Sequence, residues 1–450
     1  MNCLMVRFFA RAGCGLPFLA AVVFVLVVGQ LAEAQRVPPN RGMPDEMFGG
    51  PPPFGAPQNL EPEKADPDEL PPKPSREYKE IRLSKADENG FMRQRSEIRR
   101  VLMAGNLGGN QRVFDDFINK YFLGHWTLWE NRTSLPSYRK ELRGYFQQTK
   151  GGEVYDHLNT LVMEFANTVV RDNYNPAVQI NALLAVGELN RAEPGSGETA
   201  APVPQALAML LEVVNDQQLP DALRAAAMVG VQRHAASGVG DANARRTLTN
   251  AMLKLATAEP PTGPTAMGRQ WIVGQALDTL GLLGSPGEEN AVFKAMIDVV
   301  ADSGFTDRTR TIAADALGRL NYAGVAGVDP AVEAAKITRF LLDAVARQTR
   351  ISTETTQPVS PRRIKQLINA CLTALSGSGS AGQGIISLTN QAEKKALLDE
   401  LHKTIKTLGD QLDKRGSQDM DIASHLEELR KGLEAWLQKQ SGEAPKEGGA

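Results

Sequence analysis

The chain has 450 residues and a formal net charge of −2, with 42% hydrophobic and 6% aromatic residues. The charge balance as a whole does not point to nucleic acid, whose binding rests on a basic footprint. Scarce aromatics and plentiful alanine and leucine favour helices over β-sandwiches, and the length allows two or three domains or one long array.

Residues 1–34 read as an export signal. Arg7 and Arg11 precede the apolar run LPFLAAVVFVLVV, and Ala32-Glu33-Ala34 forms a small-x-small pattern ahead of a cleavage point between Ala34 and Gln35. The run is short for a membrane span. Export to the periplasm or cell envelope is therefore expected, the alternative being an uncleaved membrane anchor. Cys14 lies ahead of the run, where lipid attachment would have it behind. With Cys3 and Cys14 leaving in the signal, Cys371 stands alone and no internal disulfide forms.

Residues 35–76 change composition. Gln35 to Ser75 holds twelve of the 27 prolines, and seven acidic residues against four basic ones. Such a segment buries too little to offset its ordering entropy, so it reads as a disordered, extended tether rather than a proline-recognition ligand.

Residues 77–150 read as an irregular helical N-terminal cap. SEIRRVLMAG, QRVFDDFINKYF and SYRKELRGYFQQ place apolar residues three or four apart. The aromatics gather here, at Phe114, Phe117, Tyr121, Phe122, Trp126 and Trp129. GHWTLWENR is the best aromatic candidate for a ligand surface, set against a cap-core role. Basic residues between Arg82 and Arg100 are interrupted by Asp87, Glu88 and Glu97, which suits a solvated helix face better than a phosphate patch. Asn131-Arg132-Thr133 is a formal glycosylation acceptor, meaningful only in a eukaryotic secretory route.

Residues 151–377 carry a repeat. VQINALLAVGEL, LRAAAMVGVQRH, RQWIVGQALDTL, TRTIAADALGRL and IKQLINACLTAL begin at Val178, Leu223, Arg269, Thr309 and Ile364. Their eighth positions are small: Ala185, Gly230, Ala276, Ala316 and Cys371. The ninth are aliphatic. The twelfth are leucine except at His234, which is expected to fill a packing position with a polar partner. Another amphipathic helix precedes each segment. Asn175-Pro176 and Ser360-Pro361 give a cap followed by proline in the first turn, and Asp221, Thr265 and Asp307 are expected to cap the other three. Two helices in about 40 to 47 residues is the range of HEAT or armadillo arrays. Small residues in the second helix of each pair let axes approach closely while leucines fill the grooves.

TRTIAADALGRL and VQINALLAVGEL resemble the second helix of a HEAT repeat, especially the HEAT-like repeats of phycobilin lyases, over about residues 152–377. The resemblance implies an all-α HEAT/armadillo-like α-solenoid of about five two-helix repeats. The second positions are long and polar: Gln179, Arg224, Gln270, Arg310 and Lys365. In HEAT proteins this position often forms a hydrogen-bonded ladder with the next repeat. The alternative is a ligand-facing row on a concave surface.

Residues 378–390 form a Gly/Ser-rich loop. It contains a literal GxGxxG, Gly377 to Gly382, without the βαβ setting of a dinucleotide site. Residues 391–440 read as a helical hairpin with apolar seams at Leu397, Leu401, Ile405, Leu408 and Leu412 and at Ile422, Leu426, Leu429, Leu433 and Leu437. The hairpin either caps the array or pairs with a second copy as a homodimer. Residues 441–450 read as a disordered tail.

No metal, cofactor or nucleophile signature emerges. No two of the five histidines are spaced i, i+4, and there is no HExxH, GxSxG or GxxxxGK[ST]. Cys371 occupies a small-residue slot and reads as buried. The expected function is an exported, non-enzymatic scaffold binding a protein or peptide partner in the cell envelope, without nucleic acid or cofactor, and meeting a membrane only through an uncleaved N-terminus. Gln179, Arg224, Gln270, Arg310, Lys365, Trp126 and Trp129 are its candidate partner-binding residues. The alternatives are a chromophore- or cofactor-handling lyase-like factor, or a membrane-anchored, self-associating structural protein.

Overall fold

The computed structural model describes residues 77–355, 359–378, 384–414 and 422–441. The expected signal with Ala34 and Gln35, the tether up to residue 76, the centre of the Gly/Ser loop and residues 442–450 lie outside them.

Regular structure among the described residues is helical, with one isolated antiparallel bridge between Asn190 and Pro202. The N-terminal part holds α1 (Lys85–Ala104), α2 (Gln111–Asp116), α3 (Leu123–Trp126) and α4 (Leu135–Thr149). A π-helical turn, Phe117–Phe122, joins α2 to α3 and buries Phe117, Ile118, Tyr121 and Phe122. Wider turns re-aim side chains relative to the α-helical period, and here four large residues reach one core.

Five helix pairs follow: α5 (Glu153–Arg171) with α6 (Pro176–Glu188), α7 (Pro204–Asn215) with α8 (Asp221–Ser237), and α9 (Ala242–Ala256) with α10 (Ala266–Leu283). Then come α11 (Ala291–Ala301) with α12 (Asp307–Leu317), and α13 (Pro330–Thr355) with α14 (Pro361–Ser376). The second helices stack in order, α6 on α8, α8 on α10, α10 on α12 and α12 on α14. The first helices form the other layer, with α7 against α9, α9 against α11 and α11 against α13. α4 packs on α6 and so extends the inner row by one helix. The arrangement is compatible with an α-solenoid.

Close approach in the inner row explains the small residues. A methyl group built on Gly187 of α6 would lie 2.9 Å from the Cα of Gly230 on α8. One on Gly281 of α10 would lie 3.0 Å from the Cα of Ala316 on α12. Gly318, just after α12, meets the backbone of Thr373 on α14, where an added Cβ would be 2.2 Å from the carbonyl oxygen. Ala185, Gly230, Ala276, Ala316 and Cys371 are all buried. Burial pushes the Cys371 thiol up to about 12.

Capping follows the expected scheme at two pairs and departs from it at three. Asn175 accepts from the Ala177 amide at 2.9 Å, and Ser360 accepts from Arg363. In α12 the cap is Thr306, which accepts from the Thr309 amide, while Asp307 is the first helical residue. Asp221 likewise begins α8 after Pro220, and Thr265 makes no capping bond. The two displaced aspartates hold arginines instead. Asp221 binds Arg224 and Arg269, and Asp307 binds Arg347. A proline or threonine one residue earlier takes the extended cap conformation, which moves each carboxylate into the first turn, where the helix dipole also favours it.

At the C-terminal end α15 (Ala392–Lys414) packs on α14, and α16 (Ile422–Ser441) packs on α13 and α15. The hairpin's seams are thus buried against the last pair: Leu398, Leu401, Ile405 and Leu408 on one helix, and Leu426, Leu429, Leu433 and Trp436 on the other. Trp436 widens the expected seam. Its ring nitrogen donates to the Leu397 carbonyl at 2.7 Å.

Candidate functional site

The Gln179, Arg224 and Arg310 side chains point into their own helix pairs. Gln179 donates to the Val169 carbonyl at 2.9 Å and the Asp172 carbonyl at 3.1 Å. Arg224 donates to Val214 at 3.0 Å, and Arg310 to Val300 at 2.8 Å. The Gln179, Arg224 and Arg310 side chains therefore reach the Val169, Val214 and Val300 carbonyls in the last turn of their own pair's first helix, where intrahelical partners run out. The Asp172 carbonyl also accepts from the Tyr174 amide. Gln270 instead reaches the loop ahead of α12, donating to Gly304 and accepting from the Thr306 amide. Lys365 is half-buried. Arg310 is 1% exposed, with its guanidinium 4.5 Å from the centre of the Phe340 ring. Four of these five residues, all but Lys365, are buried and form no solvent-facing row.

The two tryptophans separate. Trp126 is fully buried, edge-on to Phe122 and Phe165. Trp129 is half-buried under the Arg132 guanidinium, 4.1 Å from its ring centre. They share no ligand surface with the second positions.

His234 is buried, and its Nε2 has no hydrogen-bond partner, contrary to the polar partner expected for it. Burial, with Arg233 adding, lowers its pKa to about 4. Imidazole therefore sits neutral in a leucine slot.

A cleft of about 290 Å³ opens where the N-terminal region meets the first pairs. α4 supplies Arg139, Leu142, Arg143 and Phe146, the start of α5 gives Tyr155, and the end of α6 gives Ala185, Glu188 and Leu189. The loop before α7 adds Asn190 and Glu193, and α8 reaches in with Arg233. The floor is apolar and buried: Leu142, Phe146, Ala185 and Leu189. Glu188 holds two arginines side by side, with Arg139 Nε at 3.2 Å and Arg143 Nη2 at 3.0 Å. Arg139 also donates to Asn181 Oδ1 at 2.8 Å. Arg233 donates to the Gly187 carbonyl at 2.9 Å and to Asn190 Oδ1. Tyr155 donates its hydroxyl to Glu193, and burial, with that carboxylate, raises the phenol above its ordinary range. Three guanidiniums thus face two carboxylates that are both engaged.

Sequence periodicity did not expose this cleft, although one signal bears on it. Glu188, Arg233 and Arg319 share the eleventh position of their segments, at the end of the inner helices. Arg233 links α8 to the end of α6, Arg319, two residues past α12, links to Asp278 of α10, and Glu188 holds Arg139 and Arg143 of α4.

Among the described residues, no group of three or more His, Cys, Asp and Glu side chains is placed to hold a metal ion. Among them, too, no helix is long and apolar enough to cross a membrane. Comparison of the chain with protein-family models, curated proteins and solved structures finds no match.

Proposed function

We propose that this chain is an exported, non-enzymatic scaffold: a HEAT-type α-solenoid of about five two-helix repeats that binds a protein or peptide partner in the cell envelope. The observation that carries this reading is the unbroken stacking of α4, α6, α8, α10, α12 and α14. A row of this kind presents one face drawn from many helices, long enough to follow an extended or multi-part ligand. The N-terminal pattern ending at Ala34 supports export.

Affinity capture from a native envelope extract tests the proposal, with the full chain as bait and the heat-denatured chain as control. A partner retained by the folded bait alone, which binds again when both proteins are purified, is the expected result. Recovery of nothing but the chain itself would end the scaffold reading.

A further inference from the structure

We infer that the cleft between α4, α6 and α8 is a binding site for a carboxylate borne next to an apolar group, as at the end or on an acidic side chain of a peptide. The inference rests on the scaffold reading and names the chemistry its ligand presents.

The lining gives the charge. Arg139, Arg143 and Arg233 outnumber Glu188 and Glu193 by one, so a single negative charge balances the site. A monoanionic carboxylate meets that balance better than a doubly charged phosphate. Both carboxylates already have partners: Glu188 lies against Arg139 and Arg143, and Glu193 accepts from Tyr155. A guanidinium has five N–H donors in a fixed fork. The bonds described above use only some of those on Arg139, Arg143 and Arg233. Asn181 lies outside the lining and holds Arg139 from behind by accepting its hydrogen bond.

The floor gives the second half of the ligand. Leu142, Phe146, Ala185 and Leu189 are buried beneath these arginines, so a group entering beside the charge meets hydrocarbon and an aromatic face. The volume, about 290 Å³, falls just under the range for ligand pockets, about 300–1,000 Å³. It suits one or two side chains of a peptide. The arginines are also positioned rather than floppy, because Glu188 and the Gly187 carbonyl anchor them. Less ordering entropy is then lost when a ligand binds.

Calorimetric titration of the full chain with four probes tests this. N-acetylphenylalanine carries the carboxylate at a chain end. N-acetyl-aspartyl-phenylalaninamide carries it on a side chain. N-acetylphenylalaninamide lacks it, and inorganic phosphate lacks the apolar part. We expect at least one carboxylate probe to bind with Kd on the order of 1 mM, as suits so small a ligand. The uncharged amide should bind at least about tenfold more weakly, the loss of one charge-assisted contact. The tighter of the two carboxylates identifies the source. Arg143→Gln should weaken binding about tenfold, whereas Arg308→Gln, on the exposed start of α12, should leave it unchanged. Equal binding of acid and amide, phosphate as tight as the acid, or an indifferent Arg143→Gln would overturn the assignment. The probe comparison uses the unaltered chain, so it holds even if a variant folds poorly. Probes that fail while capture still yields a partner would remove the cleft and leave the scaffold. Probes that bind where capture finds nothing would do the reverse.

Discussion

Alanine at Gly230 isolates the reason for the small residues in the inner row. The new methyl would lie 2.6 Å from Leu210 Cδ1 and 2.8 Å from the Cα of Gly187. Leu210 can turn its methyl aside, but Gly187 is helix backbone and gives way only if α6 moves off α8. Overpacking of this kind costs about 1–3 kcal/mol, and the better helix propensity of alanine returns about 1 kcal/mol. Gly230→Ala should therefore destabilise by up to about 2 kcal/mol. Gly144 on α4 has nothing within 4 Å of an added methyl, so the same substitution there should stabilise by about 0.5–1 kcal/mol. Gly187→Ala enters the same gap from the other side, so its cost and that of Gly230→Ala should add to less than their sum. A long array need not melt in one step. Thermal melts should thus be paired with native-state hydrogen exchange on α6 and α8, where local opening shows directly. The reasoning is refuted if Gly230→Ala stabilises the protein as Gly144→Ala does.

Three further outcomes are expected. His234 has a folded pKa of about 4 against an ordinary value of about 6.5, so the unfolded chain takes up the proton first. Its contribution is complete above about pH 6.5 and is lost as pH falls towards about 4, a change of about 3 kcal/mol. Melts across that range should lose this slope in His234→Leu, which also removes a buried nitrogen without a partner. Arg310→Lys should destabilise by about 2 kcal/mol in denaturant titrations, because an ammonium cannot both lie flat on Phe340 and donate to the Val300 carbonyl. Asn175→Ala should cost about 1 kcal/mol in the same titrations, whereas Thr265→Ala, which loses no capping bond, should cost close to nothing.

Much of the helix order was legible in the sequence because it rests on local spacing. Five segments with a small eighth residue and an aliphatic ninth mark α6, α8, α10, α12 and α14 without reference to anything distant. Local chemistry also placed the caps at Asn175 and Ser360. It misplaced those at Asp221 and Asp307, since the choice between adjacent residues depends on where the chain leaves the preceding turn.

Tertiary structure decided which polar groups have partners. The same second position sends Gln179, Arg224 and Arg310 to their own pair and Gln270 to the next, because the loops between helices differ in length and direction. The cleft brings Arg139, Glu188 and Arg233 together from α4, α6 and α8, three elements that meet only when the inner row stacks. A periodic pattern states which face of a helix is buried. Which charges then stand opposite one another is a property of the packed helices, and in this chain it sets three guanidiniums against two carboxylates at the cleft.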